Sequence, residues 1–134
     1  MIPSGNAILT TDFDVVKQPS KQHRMNLDNG LILGTCDGLE AVKQSIFKIL
    51  NTERYDCLIY SWNYGIELMD LYGQPLMYVC PEIERRVKEA LLQDDRITGV
   101  DSFEFDTSGK GVVSVKFTVH TSFGNANEEM VVNI

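Results

Sequence analysis

Two stretches of the chain repeat apolar residues at the spacing of an α-helix. The first follows Asp37, and its apolar stripe consists of Leu39, Val42, Ile46, Ile49 and Leu50. Asp37 with Glu40 three residues later predicts a capping box at its start. The second is predicted to have Pro81 at its first position, and its stripe consists of Ile83, Val87, Ala90 and Leu91. We therefore predict two amphipathic helices, which end near Asn51 and Asp94.

Alternating apolar and polar residues predict strands on either side of these helices. Residues 21–27 and 31–33 flank Asp28-Asn29-Gly30, which predicts a hairpin with a type I′ turn. After the second helix, residues 97–106 are predicted to be β structure that holds Ile97, Val100, Phe103 and Phe105. Residues 113–120 alternate strictly, with His120 on the solvated face of its strand. The last segment, 128–134, is predicted to be a strand that runs to the terminus. Such a strand is a natural sheet edge.

The segment between the helices, residues 53–80, has the least regular pattern. A short strand at 57–60 and a short helix at 66–71 are predicted, the helix closed by Gly73 and Pro75. Four aromatic residues occur here, and we interpret them as part of the core: Tyr60, Trp62, Tyr64 and Tyr72.

These elements together predict an α+β fold. Two main amphipathic helices pack on a mostly antiparallel sheet, with an N-terminal hairpin and a C-terminal edge strand. Residues 1–20 contain two prolines and no sustained periodicity, so we interpret them as an extended, partly flexible N-terminal arm. The remaining residues, 21–134, are predicted to form a single domain.

The net charge of −7 argues against nucleic acid or an anionic membrane as a partner. No apolar run approaches the roughly 20 residues that span a bilayer, and the N-terminus lacks the pattern of a signal peptide. Three cysteines without a CxxC pair argue against a disulfide framework and indicate a reducing compartment. We expect these thiols to be buried or half-buried, and no spacing supports a metal site.

Candidate catalytic groups occur in the sequence, but no second feature distinguishes them from pairs that are expected by chance. Glu53 with Asp56, or Glu67 with Asp70, could form the carboxylate pair of a glycoside hydrolase. A cysteine nucleophile, Cys57, would need His23 or His120 as its base, and no known motif surrounds these residues. Phosphate-binding glycine motifs are absent from the sequence. The residues alone therefore predict an interaction module that is not an enzyme and uses no cofactor.

Charged clusters directly follow both predicted helices. Glu53-Arg54 follows the first, and Asp94-Asp95-Arg96 follows the second. Charges at helix ends are commonly solvated caps. An arginine between carboxylates is also a good interface anchor, because its planar fork can bond two partners.

The same clusters carry a resemblance to a known family. The chain resembles the baseplate wedge and sheath-initiator family of contractile phage tails (lysozyme-like baseplate proteins), and more closely its XkdS-like branch in PBSX-type prophages of Bacillus. The match covers roughly residues 21–134. The matching pieces, in order, are Asp37–Ala41, Ile49–Tyr55, Ile59–Trp62, Tyr64–Leu68, Arg85–Leu92 and Asp94–Val100.

The resemblance implies a structural role rather than catalysis. In the family a Glu-Pro-Arg motif docks on wedge proteins, and it falls here on Asp94, Asp95 and Arg96, so two of its three positions differ. Partners would be other wedge proteins and the tail sheath, with six copies per baseplate, in a virion or tail-like particle assembled in the bacterial cytoplasm. Partner-binding residues are expected in both charged clusters and the terminal strand: Glu53, Arg54, Asp94, Asp95, Arg96, Met130, Val132 and Ile134. A lysozyme-like cell-wall hydrolase of a phage tail is the alternative.

Overall fold

Two helices and two antiparallel sheets make up residues 17–134, the part of the chain that the computed structural model describes. The α+β class is therefore confirmed. Most of the predicted N-terminal arm, 1–20, lies outside the described residues, and 17–20 contain no helix or strand. The elements in chain order are β1 (Gln22–Asn26), β2 (Leu31–Cys36), α1 (Gly38–Leu50), a 3₁₀ turn (Met69–Leu71), α2 (Leu76–Leu91), β3 (Ile97–Asp106), β4 (Val112–Thr121) and β5 (Gly124–Asn133).

The main sheet has the order β3-β4-β5, and both of its pairings are antiparallel. The residues of β4 alternate as the sequence predicts. Its inward side chains are buried against the helices: Val113, Val115, Phe117 and Val119. His120 lies on the opposite face, as predicted, and its ring nitrogens bond Asp101 and Asn125 at 2.8 Å each. The terminal strand is confirmed as an edge of this sheet.

A bulge in β3 keeps its aromatic residues on the inner face. Ser102 has a φ of +56°, and the register with β4 shifts between Asp101 and Glu104. An extra residue at this point reverses the alternation, so Phe103 and Phe105 face the same side as Val100. Phe103 then stacks on Phe117 with a centroid distance of 5.4 Å.

Helix α1 confirms its predicted stripe. Val42, Ile46 and Ile49 are buried, and Asp37 caps the helix by accepting from the Gly38 N–H at 2.7 Å. Glu40 instead pairs with Arg24 of β1 at 2.9 Å, so the predicted capping box does not form.

Helix α2 begins five residues earlier than Pro81, the predicted first position. Pro75 is the N-cap, and Pro81 lies inside the helix. The missing N–H of Pro81 removes one intrahelical bond, to the carbonyl four residues before. Val79 is fully buried one turn before Ile83, so the apolar stripe extends past the proline and accounts for the longer helix.

The N-terminal hairpin is confirmed, but its turn differs from the predicted one. Asn26 pairs with Leu31, which leaves a loop of four residues. Gly30 alone in this loop has a positive φ, of +68°, whereas a type I′ turn requires two such residues. Gln44 of α1 holds the hairpin by donating to the His23 carbonyl at 2.6 Å and accepting from the Met25 N–H at 2.9 Å.

The predicted short strand at 57–60 is wrong, because these residues form turns. The short helix at 66–71 is reduced to the 3₁₀ turn. The prediction that the four aromatic residues are part of the core is wrong for Tyr60, Trp62 and Tyr72, which are exposed, and is confirmed for Tyr64, which packs against the core. Trp62 is 82% exposed and Tyr72 58% exposed, while Tyr64 is half-buried and stacks on Tyr60 at 4.3 Å.

The three cysteines are free thiols in different environments. Cys36 is buried, Cys80 is half-buried, and Cys57 is exposed, which contradicts the expectation for that residue. Within residues 17–134, no helix is long and apolar enough to cross a membrane.

Candidate interaction surfaces

Glu53 and Arg54 fasten the segment between the helices to the rest of the domain. Glu53 forms a parallel bridge with Ile66, and its carboxylate accepts from the Leu68 and Met69 N–H groups at 3.1 and 3.3 Å. The Arg54 side chain is 10% exposed and pairs with Glu89 of α2 at 3.1 Å. Both side chains therefore have partners inside the domain, which accounts for their position after α1.

Sequence reasoning missed Arg86, the most deeply buried charged residue among those that the structure describes. Its guanidinium donates to both carboxylate oxygens of Asp70. It also donates to the Glu82 carboxylate at 3.1 Å and to the Glu67 backbone carbonyl at 2.8 Å. The hydrogen bond from Arg86 is the main cause that holds the pKa of Asp70 below its usual value. Arg86 lies three residues after Ile83, on the apolar stripe of α2. A charged residue at such a position could have indicated a buried arginine with partners inside the protein.

Exposed apolar side chains cluster on the segment between the helices and on the start of α2. Leu58, Ile59 and Met77 are at least 87% exposed. We call this surface the apolar lobe, and its members are Tyr55, Leu58, Ile59, Trp62, Met69, Tyr72, Met77 and Tyr78. A concentration of exposed apolar side chains in one stretch of chain, residues 55–78, favours an interaction role.

Asp94 and Arg96 form an ion pair at the corner between α2 and β3. Asp94 accepts from the backbone N–H, Nε and Nη2 of Arg96 at 3.0, 2.9 and 2.6 Å. Arg96 Nη2 also donates to Ser45 Oγ of α1 at 3.0 Å, which ties both helices to this corner. Burial raises the pKa of Asp94, but the bonds and charge of Arg96 outweigh it and leave that pKa below its usual value. Asp95 beside them is exposed.

The hydrogen-bond register determines which residues of β5 face its open edge. Thr121 pairs with Gly124 across a two-residue turn, and the Ile134 N–H donates to the Gly111 carbonyl at 3.0 Å. Residues in an antiparallel ladder alternate between bonding the neighbouring strand and pointing away from it. The pairing has no bulge, so the backbone groups that point away from β4 belong to Asn125, Asn127, Glu129, Val131 and Asn133.

The residues singled out in the terminal strand have the opposite orientation. Val132 is buried, and Met130 and Ile134 pack against the core. Their peptide groups face β4. These three side chains therefore fix the position of β5, while their neighbours present the backbone of the edge.

A groove runs between α1 and the open edge of β5. One part has a volume of about 290 Å³ and extends from Leu68 to Glu128, and a second part of about 560 Å³ continues to the turn end of the hairpin. Phe47 of α1 and Glu128 of β5 line both parts. Because residues 127–131 line it, the groove adjoins the open edge of β5.

In each candidate catalytic pair, one carboxylate already has partners within the described residues. Glu53 is bonded by backbone amides, and Asp70 is bound to Arg86 with a lowered pKa, whereas a glycosidase acid needs a raised one. No cluster of three potential metal ligands is found among residues 17–134.

Comparison with known proteins decides which family contains these features. The family model described as contractile injection system sheath initiator matches residues 10–124. The chain belongs to the sheath-initiator family. It is also 37% identical over 121 residues to the phage-like element PBSX protein XkdS of Bacillus subtilis (strain 168), a match that covers 87% of this chain and 85% of the relative.

Membership of the sheath-initiator family gives the protein a structural role in a phage-tail-type contractile system. Interaction with other baseplate and sheath components follows from this role, as does a place in the baseplate of a virion or tail-like particle. The family is structural, which favours assembly over catalysis.

Proposed function

We propose that this sheath initiator is a baseplate wedge subunit that links wedge proteins to the first ring of tail sheath. It would be present once per wedge, and therefore in six copies. The observation that carries the proposal is the open edge of β5, which is paired on one side only within the described residues. An open edge accepts a further strand by backbone hydrogen bonding.

The sheath side of the protein is β5 in this proposal. Its core-facing side chains hold the strand in place, and its alternate peptide groups bond a strand contributed by a sheath subunit. Because β5 is already ordered, the incoming strand alone loses conformational freedom on binding.

The wedge side consists of the Asp94-Asp95-Arg96 corner and the apolar lobe. Asp94 fixes the orientation of the Arg96 guanidinium, so little side-chain entropy is lost when a wedge protein binds it. Glu53 and Arg54 contribute indirectly, since they hold the segment that carries the lobe.

Strand addition can be tested with Val131→Pro. The Val131 N–H points to the open edge, so the ring removes an edge donor and leaves the β4 pairing intact. We expect a folded protein that no longer initiates sheath, measured by electron microscopy of particles. In the control, Val132→Pro, the missing N–H faces β4, and the fold itself should be destabilised. Normal sheaths on Val131→Pro particles would contradict the proposal.

The wedge contact can be tested by co-expression with neighbouring tail proteins and a pull-down. Arg96→Ala should reduce recovery of wedge proteins at least tenfold while circular dichroism still shows a folded domain. Arg85→Ala, an exposed arginine of α2, is the matched control and should bind as the wild type does. Equal recovery with both variants would move the wedge interface away from the corner.

A further inference from the structure

Glu128 occupies an unusual position for an acidic residue. It lies in the middle of the edge strand β5, between the inward-facing residues Ala126 and Met130, and is half-buried. Its neighbour Glu129 points to the opposite face and is exposed. An inward charge on an edge strand disfavours pairing with an ordinary apolar strand.

The charges around Glu128 leave its carboxylate only partly compensated. Lys43 of α1 is the cation that acts on it, but the two side chains form no salt bridge within residues 17–134. The other charged pair at this end of the groove, Arg24 with Glu40, is already matched. Burial raises the pKa of Glu128, as expected for a carboxyl group removed from water without a close partner.

Apolar side chains lie beside Glu128 in the groove, together with polar ones. Phe47 is 39% exposed on the α1 side, and Leu50 and Met130 are half-buried beside it. A strand paired to β5 would direct every second side chain into this groove, next to the inward residues of β5. The residue opposite Glu128 would have its Cβ about 5 Å from that of Glu128, close enough for a charge pair.

We infer that Glu128 selects the strand that joins β5, and that this strand alternates apolar and polar residues with a lysine or arginine opposite Glu128. The inference rests on the strand addition proposed above and adds the chemistry of the donor. An apolar donor residue would leave the carboxylate buried without a partner, and an acidic one would add repulsion. A basic one completes a charge pair with the half-buried carboxylate.

The same charges argue for a different protein as donor. A second copy would bring its own Glu128 and Glu129 to the edge, from a chain with a net charge of −7. Acidic strands facing each other repel. The complementary donor is therefore a basic segment of another chain.

The test uses three labelled, end-blocked peptides, Thr-Val-Thr-Val-Thr-X-Thr-Val-Thr-Val-Thr, where X is Lys, Gln or Glu. Binding to the full chain is measured by fluorescence anisotropy. We expect wild type to prefer the Lys peptide over the Glu peptide by about tenfold or more. Glu128→Lys should reverse the order, and Glu128→Gln should remove it. Glu129→Lys is the matched control on the outer face and should keep the wild-type order.

The possible results separate this inference from the proposed function. If all peptides bind equally and Val131→Pro abolishes their binding, strand addition stands and selection by Glu128 is overturned. If wild type binds no peptide, strand addition and the inference both fail. Self-association of wild type that Val131→Pro abolishes would identify a second copy as the occupant and contradict the inference.

Discussion

Asp94 and Arg96 show how single charged residues act inside this domain. Because Arg96 keeps the pKa of Asp94 below its usual value, the pair stabilises the fold above about pH 4, the pKa of an unfolded aspartate. This stability is lost as the pH falls through the folded pKa. Asp94→Asn should lower the free energy of unfolding at pH 7 by about 1–3 kcal/mol. It should also reduce the difference between the free energies of unfolding at pH 7 and pH 3, which urea titrations at the two pH values measure.

Glu128 has the opposite linkage. Its pKa is raised in the folded protein, so its contribution to the free energy of unfolding is most favourable below about pH 4, the pKa of an unfolded glutamate. This contribution is lost as the pH rises through the pKa of the folded state. We therefore expect Glu128→Gln to stabilise the free protein at pH 7 and to flatten this part of the pH profile. Thermal unfolding from pH 4 to 8 measures both effects. A lower midpoint for Glu128→Gln at pH 7 would contradict this account.

At the scale of elements, Gly65 determines how the segment after α1 returns to the domain. Its φ is +95°, and an added Cβ would lie 2.6 Å from the Thr52 carbonyl oxygen. Gly65→Ala should therefore destabilise the domain by about 1–3 kcal/mol or more in urea unfolding. Gly73 has a φ of +75° with nothing within 4 Å of its Cβ position, so Gly73→Ala should cost only about 1 kcal/mol. Equal losses of stability in the two variants would show that the positive φ determines the cost, and that the contact with the Thr52 carbonyl does not add to it.

Elements with a clear period could be predicted from the sequence, and the others could not. The stripe of α1 and the alternation of β4 follow from burial on one side, so their residues specify them. The start of α2 was missed because Pro81 resembles a first position, although Val79 extends the stripe. The segment 57–60 is apolar but exposed, and sequence cannot distinguish a core strand from a surface that a partner covers.

The candidate site could be predicted only as a set of regions. The charged clusters and the terminal strand lie where the sequence indicates. The internal partners of Arg54 and Arg96 depend on contacts between residues distant in the chain, Glu89 and Ser45. Which peptide groups of β5 reach the open edge depends on the register with β4, which a single strand does not encode.

For the whole molecule, the apolar lobe and the edge of β5 provide two surfaces with different chemistry. We expect the double variant Leu58→Asp with Ile59→Asp to fold with a stability change within about 0.5 kcal/mol, since both side chains are exposed. It should lose wedge proteins in the pull-down but still bind the Lys peptide at β5. Leu33→Asp, which alters an exposed leucine of the hairpin, is the control. Loss of peptide binding by the lobe variant would show that the two surfaces are not independent.

The N-terminal hairpin has a consequence for motion within the assembled particle. Its leucine and isoleucine residues at 31–33 are exposed, and polar bonds to α1, centred on Gln44, hold it in place. Because hydrogen bonds rather than a large apolar contact attach it, we expect local opening of the hairpin to cost less free energy than opening of the core of α1, α2 and the main sheet. The hairpin borders the groove beside β5. Its opening and closing would therefore set how readily a strand enters or leaves that groove, independently of global stability.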